Sequence, residues 1–546
     1  MRLSFVFYQA VSFLLPPFII GNVYLYLYAI VQQCTFPYAK PAQPQPTECW
    51  IEGTQPNVTI KPSFKAPFRL LVFADPQIEG DTSLPNASAS VLTSLYGARD
   101  RIVEDGLTGV PQAIADAIKG LLLEDIPAQF NTYRKRLDLF GNDYYLAHVR
   151  RSVRWWSGPT HTAVMGDLVG SQWIDDAEFK SRSDRFWKRV FRGMSKIPHS
   201  VMATGDLDQT SELFMKGRLD SLDSPDMKPW RTWLINVAGN HDIGYSGDLN
   251  EERVDRFEKT FGKVNWEARF QLRSNGSVSA AIPTKNGIDT GPPKLRLVVL
   301  NSMNLDGPAW SPDLQGDTHK FLVKQMERTA RQRKEDATVL LTHIPLFKES
   351  GLCVDSPYYT YFPAHNGGGL MEQNHLTEGA SENLLDGLFT KSADPDRNRR
   401  GIILNGHDHA GCDVYHYQLG DDQEPELDPA STIGEWSAMK YKQARREVLG
   451  KEAHGVREIT VRSMMGSYYG NAGFLSGWFD EDLGHWRFEY NSCELGVQHI
   501  WWAIHIFDVV YISLALAVVP CALWEERSDR LQAEKATAEK KKKKNQ

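Results

Sequence analysis

Five short stretches, far apart in the chain, each end in residues that bind hard cations. They read FADPQ (Asp75, Gln77), VMGDLVG (Asp167), VAGNHD (Asn240, His241), LLTHIP (His343) and LNGHDH (His407, His409). Most follow a short, continuous apolar run, such as Leu70 to Ala74 or Ile402 to Leu404, the pattern of a strand buried on both faces. Ligands just past the C-terminal ends of successive parallel strands converge on one edge of a sheet. An α/β fold satisfies all five stretches at once. Two carboxylates, an Asn oxygen and three imidazoles suffice to hold two divalent ions with one carboxylate shared, so these residues imply two-metal hydrolysis.

The order D-x-Q, GD, GNHD, H and GHDH resembles the calcineurin-like metallophosphoesterases, over roughly Phe68 to Gly473. The resemblance implies a four-layer αββα sandwich. It implies one metal site of Asp75, Gln77, Asp167 and His409, and a second of Asp167, Asn240, His343 and His407, with Asp167 as the bridge. His241 would not ligate but would protonate the leaving-group oxygen, a role suited to a near-neutral pKa, with Asp242 orienting it. Gln77 departs from the pattern, because most of the family has His there. An amide oxygen is a harder, weaker ligand than imidazole, which favours Mn²⁺ or Mg²⁺ over Zn²⁺. A second Gly-Asp, in VMATGDLDQT, makes Asp206 a rival for the bridge. Asp167 is preferred, because VMGDLVGSQW has the family's GDxxG form and runs straight into a helical pattern.

The ends of the chain place this chemistry at a membrane. No charged residue occurs from Leu3 to Ala39, a run long enough to cross a bilayer, which takes about 20 residues. It overshoots a signal-peptide core and reads as a retained anchor. Val497 to Trp524 is apolar and aromatic, although Asp508 and His505 would be costly in lipid. Two spans put both termini on one side, and the lysines at 540–544 assign that side to the cytosol, leaving the middle lumenal.

The expected organisation is an anchor over 1–33, a linker over 34–66 and a catalytic domain over 67–475, with insertions at about 81–134 and 206–228. A connector over 476–496, a second span over 497–524 and a basic tail over 525–546 would follow. In the first insertion VPQAIADAIKGLLLEDI has helical spacing, and DDAEFKSRSDRFWKRVFR (Asp175 to Arg192) reads as the helix of a parallel crossover to a strand at Trp233 to Ala238. Asn57, Asn86 and Asn275 head glycosylation triplets. Cys49, Cys353, Cys412 and Cys493 would be lumenal, where disulfides persist. Four cysteines permit three pairings; Cys353 with Cys412 is favoured because each closely follows a metal stretch. Cys34 and Cys521, at the spans, are expected as free thiols. His365, beside the Gly367 to Gly369 run, marks a candidate substrate loop.

The final residues, Lys543-Lys544-Asn545-Gln546, resemble a dilysine retrieval signal read by coat proteins. That implies residence in the endoplasmic reticulum with cycling to the early Golgi. The net charge of −7 includes the tail lysines, so the rest of the chain is more acidic still and repels nucleic acid. Within the family the DPQ form, GNHDIGY, RFEKTFG, NSMNLDGP, LFGNDYYLAH and the two spans resemble the fungal members of one endoplasmic-reticulum branch. That branch removes ethanolamine phosphate from a mannose of glycosylphosphatidylinositol (GPI) anchors. The substrate implied is GPI lipid or GPI-anchored protein. Two rival readings are a metallophosphoesterase acting on another phosphoester and a non-catalytic membrane adaptor for GPI-anchored cargo.

Overall fold

The computed structural model describes residues 2–40, 63–84, 93–105, 110–205, 213–272, 291–390, 399–418, 435–449 and 454–544. Asp206, Cys49 and the three glycosylation acceptors lie outside them. The chain divides into a body, Cys34–Glu494, and a terminal unit formed by Met1–Gln33 with Leu495–Gln546.

The strands of the body begin with β1 (Phe68–Phe73), β2 (His161–Val164), β3 (Ser195–Lys196), β4 (Met215–Arg218), β5 (Trp233–Asn236) and β6 (Trp266–Gln271). Next come β7 (Lys294–Val299), β8 (Ala337–Leu341), β9 (Tyr359–Tyr361), β10 (Leu370–Gln373) and β11 (Arg400–Asn405). The last are β12 (Cys412–Gln418), β13 (Ser437–Lys440), β14 (His454–Thr460), β15 (Asn471–Asp480) and β16 (His485–Glu494). Six form a sheet in the order β16-β15-β1-β2-β5-β3, eight a second in the order β13-β12-β14-β11-β8-β7-β6-β4, and β9 with β10 a small hairpin. Alternate residues of both large sheets, including Leu70, Val72, Ala163, Leu297, Val339 and Leu404, share one core cluster, so the sheets stack face to face.

Helices cover the outer faces. On the six-stranded side, the helix Ile126–Ser157 packs through Tyr145 and Val149 against Gly470, at the start of β15. On the other, Arg296 of β7 reaches Gln325 and Thr329 on the helix Pro312–Ala330. The architecture is the expected αββα sandwich.

Several local expectations change. The crossover helix runs Asp176–Arg185, capped where Asp175 accepts from the Glu178 N–H at 2.8 Å, then widens into a π-turn over Phe186–Val190. The stretch read as a connector holds β16, a full partner of β15. Its alternate residues Trp486, Phe488 and Tyr490 pack against the core while charged residues between them face away. Part of the second expected insertion supplies β4, an edge strand beside β6. Cys353 does pair with Cys412, but Cys34 is not a free thiol. It bridges to Cys493, 459 residues away, with Cα atoms 5.6 Å apart. The reason is local: Phe36 packs edge-on against Phe474 and the Ser476 hydroxyl donates to Pro37 O, which lays residues just past the first apolar run along the β15–β16 hairpin.

In the terminal unit, the helices Leu3–Val31 and Gln498–Lys544 are both long and apolar enough to cross a bilayer. The second continues past Trp524 through the lysine tail. Asn22 donates to Asp508 at 2.9 Å and Phe18 stacks on Tyr511, so the carboxylate within the apolar run has a partner on the other helix.

Candidate metal centre

Strand register brings the five candidate metal loops to one edge. Phe73 pairs with Val164 and Val164 with Asn236 in one sheet, and Leu341 pairs with Leu404 in the other. Backbone bonds then tie the loops together: Gln77 N donates to Asp167 O at 2.9 Å, Val237 N to Val164 O at 3.0 Å and Gly406 N to His343 O at 3.1 Å.

The chain leaves its strands through strained turns. Asp75, Gln77, Asp167 and His407 have φ of 50°, 40°, 53° and 72°, a region that residues with a side chain seldom occupy. Only two other non-glycine residues among those described share it, so the strain is concentrated at the candidate ligands. Glycine is required at two neighbours. A Cβ on Gly166, whose φ is 94°, would lie 2.1 Å from His343 Nδ1, and one on Gly239 would lie 2.2 Å from Asp167 Oδ1.

Two groups of ligand atoms result. Asp167, His343 and His407 form one, and Asp75, Asp167 and His409 the other, each with its atoms within 4.8 Å of one another. Asp167 belongs to both, the position expected of a bridge. The hydrogen bonds fix which ring nitrogens face inward. His343 Nδ1 sits 2.6 Å from Met165 O and His407 Nε2 sits 2.9 Å from Gln373 O, so those nitrogens donate. The inner nitrogens, His343 Nε2 and His407 Nδ1, lie 3.1 and 3.0 Å from Asn240 Oδ1. Asn240 Oδ1, both inner nitrogens and the Asp167 carboxylate thus point lone pairs at one another, an arrangement that a cation stabilises. Asp75 Oδ2 is buried without a hydrogen-bond partner. The donor set fits divalent metal ions.

The charges agree. Burial, and then the neighbouring Asp167, push the Asp75 carboxyl well above the carboxylate range. Burial also opposes ionisation of Asp167, but His343, His241 and His407 outweigh it and hold the group at about 2. Burial and then Asp167 push Asp242 up to about 8. Burial foremost lowers His343, His409 and His407, the last to about 3.

These shifts give the metal-free protein a stability optimum. Asp75 and Asp242 hold protons that the unfolded chain has lost, so each contributes less stability as pH rises above about 4, Asp242 until about 8. The histidines stay neutral while their unfolded counterparts protonate, so their contribution is lost as pH falls below about 6.5. The two trends oppose each other below 6.5, and only the carboxylates act above it. Thermal unfolding of chelator-treated protein should therefore show a falling Tm from pH 6.5 to 8. Added divalent ions should reverse that slope, because binding favours ionised ligands.

His241 stands apart from the ligands. Its backbone N–H donates to Asp167 Oδ1 at 3.0 Å, while the ring, with Nε2 3.8 Å from Asp167 Oδ2, is 36% exposed. It lines a cleft of about 570 Å³ together with Trp173, Tyr245, His407, His409 and Tyr468. Asp242 does not orient the ring. Its buried carboxylate accepts from Gly239 N at 2.9 Å and Val169 N at 3.0 Å, clamping the GNHD turn onto the GD loop. Gln77 presents its amide nitrogen, 3.1 Å from both Asp167 Oδ2 and His409 Nε2. His365 is exposed and outside the cleft lining, whereas Phe362 before it and Met371 and Glu372 of β10 line it.

Other contributors carried no visible signal of their role. Tyr468 packs edge-on against His409 with ring centroids 4.9 Å apart. Ser302 accepts from Ile344 N at 2.9 Å, beside His343, and Ser463 donates to Asp75 O at 3.1 Å. Asp306 accepts from Gln373, the residue whose carbonyl fixes His407. Ser302 and Asp306 fall in NSMNLDGP, conspicuous in the sequence but mute about what it supports.

No family model matches the chain. Protein TED1 of Saccharomyces cerevisiae is 32% identical over 413 residues, covering 70% of this chain and 77% of that protein. An uncharacterized protein of Schizosaccharomyces pombe is 25% identical over 407 residues, covering 71% and 82%. Metallophosphoesterase 1 of Danio rerio is 26% identical over 306 residues, covering 52% of this chain and 60% of that protein. Likeness of that extent, joined to an αββα sandwich whose loops gather two overlapping ligand groups, places the chain in the calcineurin-like metallophosphoesterases, metal-dependent hydrolases of phosphoric esters.

Proposed function

We propose that this phosphoesterase removes ethanolamine phosphate from a mannose of GPI anchors in the endoplasmic reticulum lumen, and so supports export of GPI-anchored proteins. The observation that carries the reading is a two-group metal cleft in a body flanked at both ends by helices fit to cross a bilayer. Such attachment raises the effective concentration of a lipid-linked head group, which a soluble substrate would not need. Asp75, Asp167 and His409 would hold one ion, and Asp167, Asn240, His343 and His407 the other. Gln77 would complete the first after its amide turns to present oxygen, and that hard donor favours Mn²⁺. When bound, the ions supply Lewis acidity, lowering the pKa of water and neutralising the phosphoryl oxygens. His241 reaches the cleft from outside the ligand set, which supports a role for its ring in protonating the departing mannose oxygen. In this topology the body is lumenal and both termini cytosolic, with Lys543 and Lys544 available to coat proteins for retrieval from the early Golgi.

The test is mass analysis of GPI glycans from cells whose sole copy is intact or carries Asp167→Asn. Retention of one extra ethanolamine phosphate in the variant is expected, and its position names the mannose. Unchanged glycans with slow export of GPI-anchored cargo would favour an adaptor. Unchanged glycans with normal export would exclude this substrate.

A further inference from the structure

The helix Ile126–Ser157 carries an apolar stripe that the described residues of the body leave exposed, save that the Arg189 guanidinium lies 5.6 and 5.9 Å from the Phe140 and Tyr144 ring centroids. Ile126, Phe130, Tyr133, Leu137, Phe140 and Tyr144 recur at alternating intervals of four and three residues, which puts all six on one face. In a folded domain such a face normally makes core. Here every one is exposed, from 68% at Phe130 to 39% at Tyr144. The face turned inward is different. Leu139 and Asp143 are buried, and Asp143 binds Arg185 at 2.8 Å and Arg189 at 3.0 Å, which pins the helix to the body. Arg134 and Arg136 border the stripe, the latter lying over the Tyr133 ring. An exposed aromatic and aliphatic face edged by arginines is the composition of helices that lie in a bilayer interface.

The direction of the stripe identifies its occupant. The helix runs along β15, from Tyr145 and Val149 against Gly470 to Gly158, whose carbonyl accepts from Arg69 opposite Ser476. Its first 18 residues therefore project past the Gly470 end of the sheet, by about 27 Å at 1.5 Å per residue. That is the edge where Met464 N binds Ala74 O beside the metal loops. It is also where Asn471 pairs with Glu494, and where the Cys34–Cys493 bridge gathers the two points at which the chain leaves for its apolar helices. The two exit points of the chain and the metal loops thus belong to the end of the body over which the stripe extends.

We infer that this stripe docks on the surface of the bilayer holding the chain's own terminal helices, setting the cleft at the depth of lipid head groups. The inference rests on the terminal helices being membrane-embedded, and not on which phosphoester is cleaved. The test uses the full chain reconstituted in phosphatidylcholine liposomes containing a diazirine-bearing phosphatidylcholine, with photo-adducts located by peptide mass spectrometry. Adducts on residues 126–144, in addition to the terminal helices, are expected. They should be lost in a Phe130→Glu, Leu137→Glu double variant that still hydrolyses a soluble aryl phosphodiester in detergent. Adducts confined to the terminal helices of the intact protein would overturn the inference, whatever the variant does. So would chain-to-chain cross-links through the stripe, which would assign it to a second copy. Because the adduct pattern does not depend on turnover, it fails or succeeds independently of the GPI assignment.

Discussion

Asp167→Asn should reduce kcat/KM on an aryl phosphodiester by roughly a thousandfold or more, with the fold intact. Asp167 is shared by both ligand groups, so a neutral side chain there would leave two dications facing each other with their common counter-charge removed. The substitution spares the structure for two reasons. Asn adopts the left-handed backbone required by φ of 53° more readily than most residues. Its amide oxygen can also keep the bond from the His241 N–H, which Asp167 Oδ1 now accepts at 3.0 Å. Metal content by mass spectrometry and Tm on the same preparation separate the alternatives. An active, metal-replete Asp167→Asn protein would remove the carboxylate from the bridging role, and a collapsed Tm would show that the fold had failed instead.

His241→Ala should act selectively. General-acid catalysis contributes about 10²–10⁴-fold where the leaving oxygen is basic. Hydrolysis of an alkyl or sugar phosphodiester should fall by that order, and hydrolysis of a p-nitrophenyl ester, whose leaving group needs no proton, by far less. The geometry motivates the contrast, because the backbone of His241 is fixed by Asp167 while its ring extends into the cleft and belongs to neither ligand group. Equal losses on the two substrates would assign His241 to binding phosphate and not to proton transfer.

The candidate ligands are readable because each sits within a few residues of a strand that announces itself as a short apolar run. Register then did what alternation cannot state, aligning Phe73 with Val164 and Leu341 with Leu404 so that the loops meet. What stayed hidden depends on pairs distant in sequence. Asp242 reads as the neighbour of His241, yet it serves the backbone of Val169, across the gap between two strands. Cys34 reads as part of a membrane span because it follows one, whereas its surroundings belong to the β15–β16 hairpin. β16 was obscured by Arg487 and Glu489, charges that alternate with its core residues and hide a strand within a polar stretch.

The Cys34–Cys493 bridge has a mechanical consequence. It joins the first residue of the body to the one before its last, 459 positions on, so nearly the whole body hangs from it as a closed loop. A pull on either terminal helix passes from one sulfur to the other and bypasses the sandwich. The strands that hold the candidate metal loops in register then lie off the direct path of that load, so a pull on the ends need not disturb the ångström-scale geometry of the centre.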